Sequence, residues 1–351
     1  MTIKATGFRS WLGTSLFAAF AATAAIGTAP AQAQGSLVMY CGVQEEWCRA
    51  MSTAFERETG IKVAMTRKSA GEIYAQLKAE SSNPRGDVWW GGTGDPHLQA
   101  AEEGLTQEYE SAANKDQHDW SISQWNAAKK RSIGIYAGAL GFGFNTQQIK
   151  AKGLPEPKCW ADLLDARLKD EVQVADPNSS GTAYNLLATV VQLMGEEKGF
   201  DYLKALHKNI NQYTKSGAAP AKATSLGETT VGIVFVHDAV VFAVQGDPIK
   251  PVVPCEGTGY EIGSMSIVKG ARNLDNAKKF YDWALTPAAQ ALAAPAKSYQ
   301  VPSNKNSTVP AQAPKMSEMK LINYDFVKYG SSAERTRLLA KWDKEVKALP
   351  K

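Results

Sequence analysis

Residues 234–240 read VFVHDAV, which sets an imidazole, His237, beside a carboxylate, Asp238, at the end of an apolar run. An imidazole donates or accepts and a carboxylate accepts, so the pair suits a hydroxyl-rich ligand. The competing reading is a satisfied structural histidine next to a helix-capping aspartate. A catalytic relay is disfavoured, because neighbours in a strand point to opposite faces. A second candidate is PNSSGTA, residues 177–183. There small hydroxyl residues and a glycine lead into a helix, where free backbone N–H groups and the helix dipole favour an anion. An ordinary cap by Ser179 or Ser180 is the alternative. A third is WWGGTG, residues 89–94, where Gly91 and Gly92 allow close backbone approach and one tryptophan could face a planar ligand while the other packs inside.

The elements that must carry these residues alternate. Strand-like SLVMYC precedes a helix, EEWCRAMSTAFERETG, with Trp47, Met51 and Phe55 at helical spacing and Gly60 at its end. IKVAMT, the helix GEIYAQLKAES, the strand GDVWW and a helix opened by Asp95 as cap and Pro96 follow. This β-α-β order predicts a mostly parallel sheet. SIGIYAGALGFGFN suits a long crossing into a second unit, containing the strand EVQVAD, the helices TAYNLLATVVQLMGEE and GFDYLKALHKN, and the strand TVGIVFV. DPIKPVVPCEGTGYEIGSMSIVKGA can return the chain to the first unit, before helices over NLDNAKKFYDWALTPAAQALAA and ERTRLLAKWDKEVKAL.

Two α/β domains joined by two hinge-crossing strands leave an interdomain cleft that binds by closing. The expected boundaries are residues 34–135 with 259–310 for the first lobe, 136–258 for the second, and 311–351 for a C-terminal helical segment. In open parallel sheets ligands sit beyond the carboxyl ends of the strands. Gln44, Gly92, Thr93, the 178–182 loop and His237-Asp238 all fall there.

Residues 1–33 have the parts of a secretory leader: Lys4 and Arg9, an apolar stretch, and Ala31-Gln32-Ala33 as a cleavage site. An uncleaved anchor is the rival reading. The leader holds two of the chain's 39 basic residues and none of its 35 acidic ones, so the remainder is nearly neutral, and its scattered basic residues give nucleic acid no track. Four cysteines in an exported chain point to two disulfides. Of three pairings, Cys41 with Cys48 and Cys159 with Cys255 is favoured, since the first pair can tie a strand end to the next helix. There is no G-x-S-x-G, Walker loop or H-E-x-x-H, which weakens the case for an enzyme. A secreted hydrolase using Ser180 with His237 is the different-class alternative.

The leader, LVMYCG, FERETGIKV, GDVWWGG, DPNSSGTA and EIGSMSIVKGA together resemble the periplasmic solute-binding proteins of ABC importers, in the branch usually labelled ferric-iron binding. The resemblance covers nearly all of the chain after the leader and implies a type II-like, two-domain α/β binding protein. Ferric binders of that branch use a histidine after the first strand, a glutamate after the third and two adjacent tyrosines after the strand that here reads GIVFV. Here Gln44, Gly92 and His237-Asp238 stand at those places, so the iron shell is missing. The replacement is similar to a group that binds hexose phosphates, in which a His-Asp pair and a glutamate on the returning strand hold sugar hydroxyls. Glu261, in GYEIGS, matches that glutamate.

The resemblance implies that Ser179, Ser180, Gly181 and Thr182 receive a phosphate or other anion, with Gln44 and Thr93 contributing from the first domain. It also implies a monomer without cofactor or bound metal, working in the periplasm with an inner-membrane permease. Ferric iron with a synergistic anion on His237, Asp238 and Glu261, or a thiamine-type ligand, are the alternatives.

Overall fold

Fifteen residues after Gln44 form one amphipathic helix, and that helix fixes the first strand's place in the fold. In this computed structural model, which describes residues 35–350, the elements run β1 (Ser36–Cys41), α1 (Glu45–Thr59), β2 (Lys62–Arg67), α2 (Ala70–Ala79), β3 (Val88–Thr93), α3 (Gly94–Glu102) and β4 (Thr106–Gln107). They continue with α4 (Asp119–Ala127), β5 (Ile133–Asn145), α5 (Thr146–Ala151), β6 (Val172–Ala175), α6 (Gly181–Met194), α7 (Glu196–His207) and β7 (Ile210–Thr214). Then come α8 (Ala219–Leu226), β8 (Val231–Phe235), α9 (Val236–Val244), β9 (Ile249–Val252) and β10 (Tyr260–Val268). The last are α10 (Leu274–Ala284), α11 (Pro287–Gln290), β11 (Val301–Pro302), α12 (Phe326–Tyr329) and α13 (Ser332–Trp342). The leader and its cleavage site lie outside the described residues. Among the described residues no helix is long and apolar enough to cross a membrane.

The strands follow the order β2-β1-β3-β10-β5-β8-β6-β7. Within each half the β-α-β units pair in parallel, β1 with β2 and β3, and β6 with β7 and β8. The centre departs from the parallel expectation: β10 runs antiparallel to β3 and β5, and β5 antiparallel to β8 and β9. The cause is the crossing itself. Ile133–Ala139 of β5 faces β10, and Leu140–Phe144 of the same strand faces β8, so one straight strand serves both halves and must run against its neighbours in each. The return from β9 to β10 lies alongside, where the N–H of Leu140 donates to the carbonyl of Gly259 at 3.0 Å. One continuous strand and one interrupted one therefore join the two lobes.

Each half has its own core. Leu37, Met39, Trp47, Phe55, Trp90 and Phe280 fill the first; Phe142, Phe144, Trp160, Tyr184, Phe200 and Ile233 fill the second. Each such side chain contributes roughly 1.5–3 kcal/mol by leaving water. The C-terminal helix belongs to both halves. Leu338 and Trp342 pack into the second core, while the buried Arg335 donates from Nε to Gln99 Oε1 on α3 at 2.8 Å.

Both favoured disulfides are formed: Cys41–Cys48 joins β1 to α1, and Cys159–Cys255 joins the segment before β6 to the returning crossing. Asp95 does not cap its helix. Thr93 holds that position, and Asp95 sits within the first turn, fully buried, accepting from Tyr324 Oη at 3.2 Å. Burial pushes its pKa up to about 6.

Candidate functional site

Between the facing rims of the two halves lies a cavity. Gln44, Gly92, Thr93, Ser180, Gly181, Thr182, His237, Asp238 and Glu261 line it. Ser179 does not: its hydroxyl donates to the carbonyls of Asp176 and Lys215, at 3.2 and 3.1 Å, outside the lining.

Part of the lining gathers positive charge. The helices α2 and α6 begin there, with Ser69 and Ser180 at their N-caps. The dipoles of these helices place partial positive charge there. Gly217 and Ala218, leading into α8, complete this wall. Arg67, at the end of β2, brings a full charge. It is held by Nε on the carbonyl of Val43 at 2.9 Å and by Nη2 on Ser216 Oγ at 3.2 Å. Thr93 Oγ1 is buried in the lining without a protein partner.

Acids and an imidazole make another part. His237 and Asp238 occupy the first turn of α9 rather than the strand, and both line the cavity. His237 Nε2 lies 3.8 Å from Asp238 Oδ1 and 3.7 Å from Glu261 Oε1, too far for direct hydrogen bonds. Its ring lies flat against Phe235 and over Gly138 of β5. A Cβ on Gly138 would meet Nδ1 at 2.5 Å, so only glycine leaves the ring its place. Gln44 Nε2 donates to Asp238 Oδ1, and Ser298 Oγ donates to Gln44 Oε1 at 3.4 Å.

Burial controls the protons here. It raises Asp238 to about 7 against the pull of Gln44 and Arg67. It drives Glu261 well above the carboxylate range, helped by the nearby charge of Asp238, and lowers His237 to about 3. Tyr136 Oη accepts from the N–H of Gly92 at 3.0 Å, which leaves its own proton to donate. Gln300 Oε1 and His237 Nδ1 are buried without a protein partner. From behind, His97 stacks on Trp89, accepts at Nδ1 from Ser266 Oγ at 2.8 Å and donates from Nε2 to the carbonyl of Gly91 at 3.3 Å, backing the glycine turn.

Sequence reasoning did not single out Arg67, Ser69, Tyr136, the Gly217-Ala218 turn or Gln300. The strand-end rule that found His237 points equally to Arg67, which closes β2. Among the described residues the group of three or more His, Cys, Asp and Glu whose ligand atoms all lie within 4.8 Å of one another is Cys159, Cys255 and Glu256, and both sulfurs are joined in a disulfide.

Residues 93–329 match the family model of bacterial extracellular solute-binding proteins. The chain belongs to this family. A protein of Haemophilus influenzae is 47% identical over 324 residues, covering 90% of this chain and 92% of that one. The periplasmic binding protein AfuA of Actinobacillus pleuropneumoniae, solved with exogenous fructose 6-phosphate bound, is 46% identical with a TM-score of 0.87, covering 90% of this chain and 100% of that one. The periplasmic binding protein P5PA is 38% identical with the same TM-score, covering 89% and 100%. Ferric-iron-binding proteins match at lower identity. As a member, the chain is a solute-binding protein of the ABC-importer type, a family that works with permease components on small ligands, and its fold is that of the type II binding proteins.

Proposed function

We propose that this protein captures a phosphorylated polyol of hexose-phosphate size in the periplasm, by closure of its two lobes, and delivers it to an inner-membrane permease. One observation carries the reading: a single cavity is lined by both kinds of group. Arg67 and the starts of α2 and α6 line it, and so do His237, Asp238 and Glu261. A phosphate is matched by helix starts and a guanidinium, which binds it through paired N–H donors. Vicinal hydroxyls are matched by carboxyls that accept and an imidazole that does either. Such a ligand gives partners to buried groups that otherwise cost about 1–3 kcal/mol each.

Nine of the ten residues expected from sequence share this cavity, Ser179 excepted. The likeness to AfuA, solved with fructose 6-phosphate, supports the same ligand class. The protein binds and releases its solute without changing it and acts as a monomer. Ferric iron is the weaker reading, because a hard cation asks for anionic oxygens and His237 and Asp238 stand where the ferric binders carry two tyrosines.

Calorimetric titration with fructose 6-phosphate, glucose 6-phosphate, the free sugars and inorganic phosphate tests the proposal. Tight binding of a sugar phosphate, weak binding of phosphate and none of the free sugar is the expected order. Equal affinity for phosphate alone contradicts the polyol reading.

A further inference from the structure

The two lobes also touch beside the solute cavity. The N–H of Gly71, in the first turn of α2, donates to the carbonyl of Ser179 at 3.1 Å, and Ser69 Oγ donates to the carbonyl of Lys215 at 3.0 Å. Helix α2 belongs to the first lobe, where Ile73 and Leu77 pack with Tyr40 and Trp89. Ser179 and Lys215 follow β6 and β7 of the second. Ser69 lines the cavity, but Gly71 and Ser179 are absent from the lining, so their bond joins lobe to lobe without a solute between them.

Glycine is a poor helix residue, and nothing in the backbone at position 71 calls for it, since its φ is not in the left-handed region. Space is what the position needs. A Cβ there would sit 2.5 Å from the carbonyl oxygen of Asn178 and 2.8 Å from that of Ser179, both main-chain atoms of the opposite lobe. No flexible side chain is available to yield, so the lobes themselves would have to part.

We infer that Gly71, closing on the carbonyl of Ser179, is a clasp that positions the lobes in the closed form and so sets affinity without touching the solute. This rests on the closing-cleft reading above, but not on the solute's identity. Ser179 thereby serves binding through its backbone rather than its hydroxyl.

Gly71→Ala is the test. Alanine favours α2 in isolation, so the open form keeps its stability while the closed form loses its fit. With a dye on a non-natural residue in each lobe, single-molecule energy transfer should show a smaller closed fraction in the variant. Affinity for fructose 6-phosphate should fall about tenfold, with the melting temperature of the protein alone unchanged or higher. An unchanged closed fraction overturns the clasp whatever happens to affinity, and so does a lowered melting temperature, which marks plain structural damage. If the wild type ignores fructose 6-phosphate, the solute reading fails and the closed fraction alone decides the clasp.

Discussion

The imidazole of His237 stands 3.7 Å from the carboxyl of Glu261, although one residue opens a helix of the second lobe and the other lies on the strand that returns to the first. With Asp238 at 3.8 Å, the spacing on both sides of the ring is too wide for direct bonds. It suits groups that meet through a hydroxyl set between them, and all three residues are buried.

Replacing His237 or Glu261 by alanine should therefore leave the fold intact and weaken sugar-phosphate binding by about 1–3 kcal/mol each, because each leaves a solute hydroxyl unpaired in a dry site. Circular dichroism checks the fold and calorimetry the affinity. The double variant should lose less than the sum, since the two groups serve neighbouring hydroxyls. Wild-type affinity in both single variants removes the assignment.

Arg67 answers for the anion. Arg67→Met keeps the aliphatic stem and removes the charge, so it should weaken fructose 6-phosphate and inorganic phosphate alike, by about 2 kcal/mol. A loss confined to the sugar phosphate would mean that Arg67 serves the hydroxyls instead.

Acid sensitivity should trace in part to the histidine behind the glycine turn, with His237, lowered to the same degree, common to both proteins compared. Burial lowers His97 from 6.5 to about 3, so its contribution to stability is complete above 6.5 and is lost as pH falls towards 3. His97→Gln can still donate to the carbonyl of Gly91 but does not titrate. Urea melts at pH 7 and pH 4.5 should show the gap between wild type and variant narrowing by about 2–3 kcal/mol at the lower pH. The raised Asp95, Asp238 and Glu261 act the opposite way, favouring the fold as pH falls through their raised values, but they are common to both proteins and cancel in the difference. A constant gap would show that His97 takes up a proton in the fold.

The two disulfides should differ in worth. Cys159–Cys255 spans 96 positions and Cys41–Cys48 only 7. Loop-closure entropy gives about 4.7 kcal/mol for a loop near 100 residues and about 2.5 for the short one. Paired serine variants, compared by urea unfolding, should keep that order.

Much of the cavity lining was legible in the sequence where local chemistry and strand ends coincide. His237, Asp238, Ser180, Gly181 and Thr182 each follow a strongly apolar strand, and the apolar pattern announces the strand. What stayed hidden lies on strands without that pattern. β7 reads INQYT, a half-exposed strand at the end of the sheet order, so the Gly217 turn that follows it gave no signal. β2 alternates at the opposite end, and Arg67 at its close looks like a surface charge. Tyr136 and Gln300 reach the cavity through long-range pairing of β11 with β5, which local periodicity cannot express. The parallel expectation failed at the centre for the same reason, because β5 serves both lobes. Asp95 looked like a cap because Asp-Pro opens helices, whereas the fold buried it beside Tyr324 and near Arg335.

The central claim, a cleft for a phosphorylated polyol, is tested most directly by purifying the protein from its own host, denaturing it, and identifying what is released by mass spectrometry alongside metal analysis. A sugar phosphate at close to one per chain, without iron, is the predicted result. Iron with a simple anion, or a solute bearing no phosphate, contradicts it.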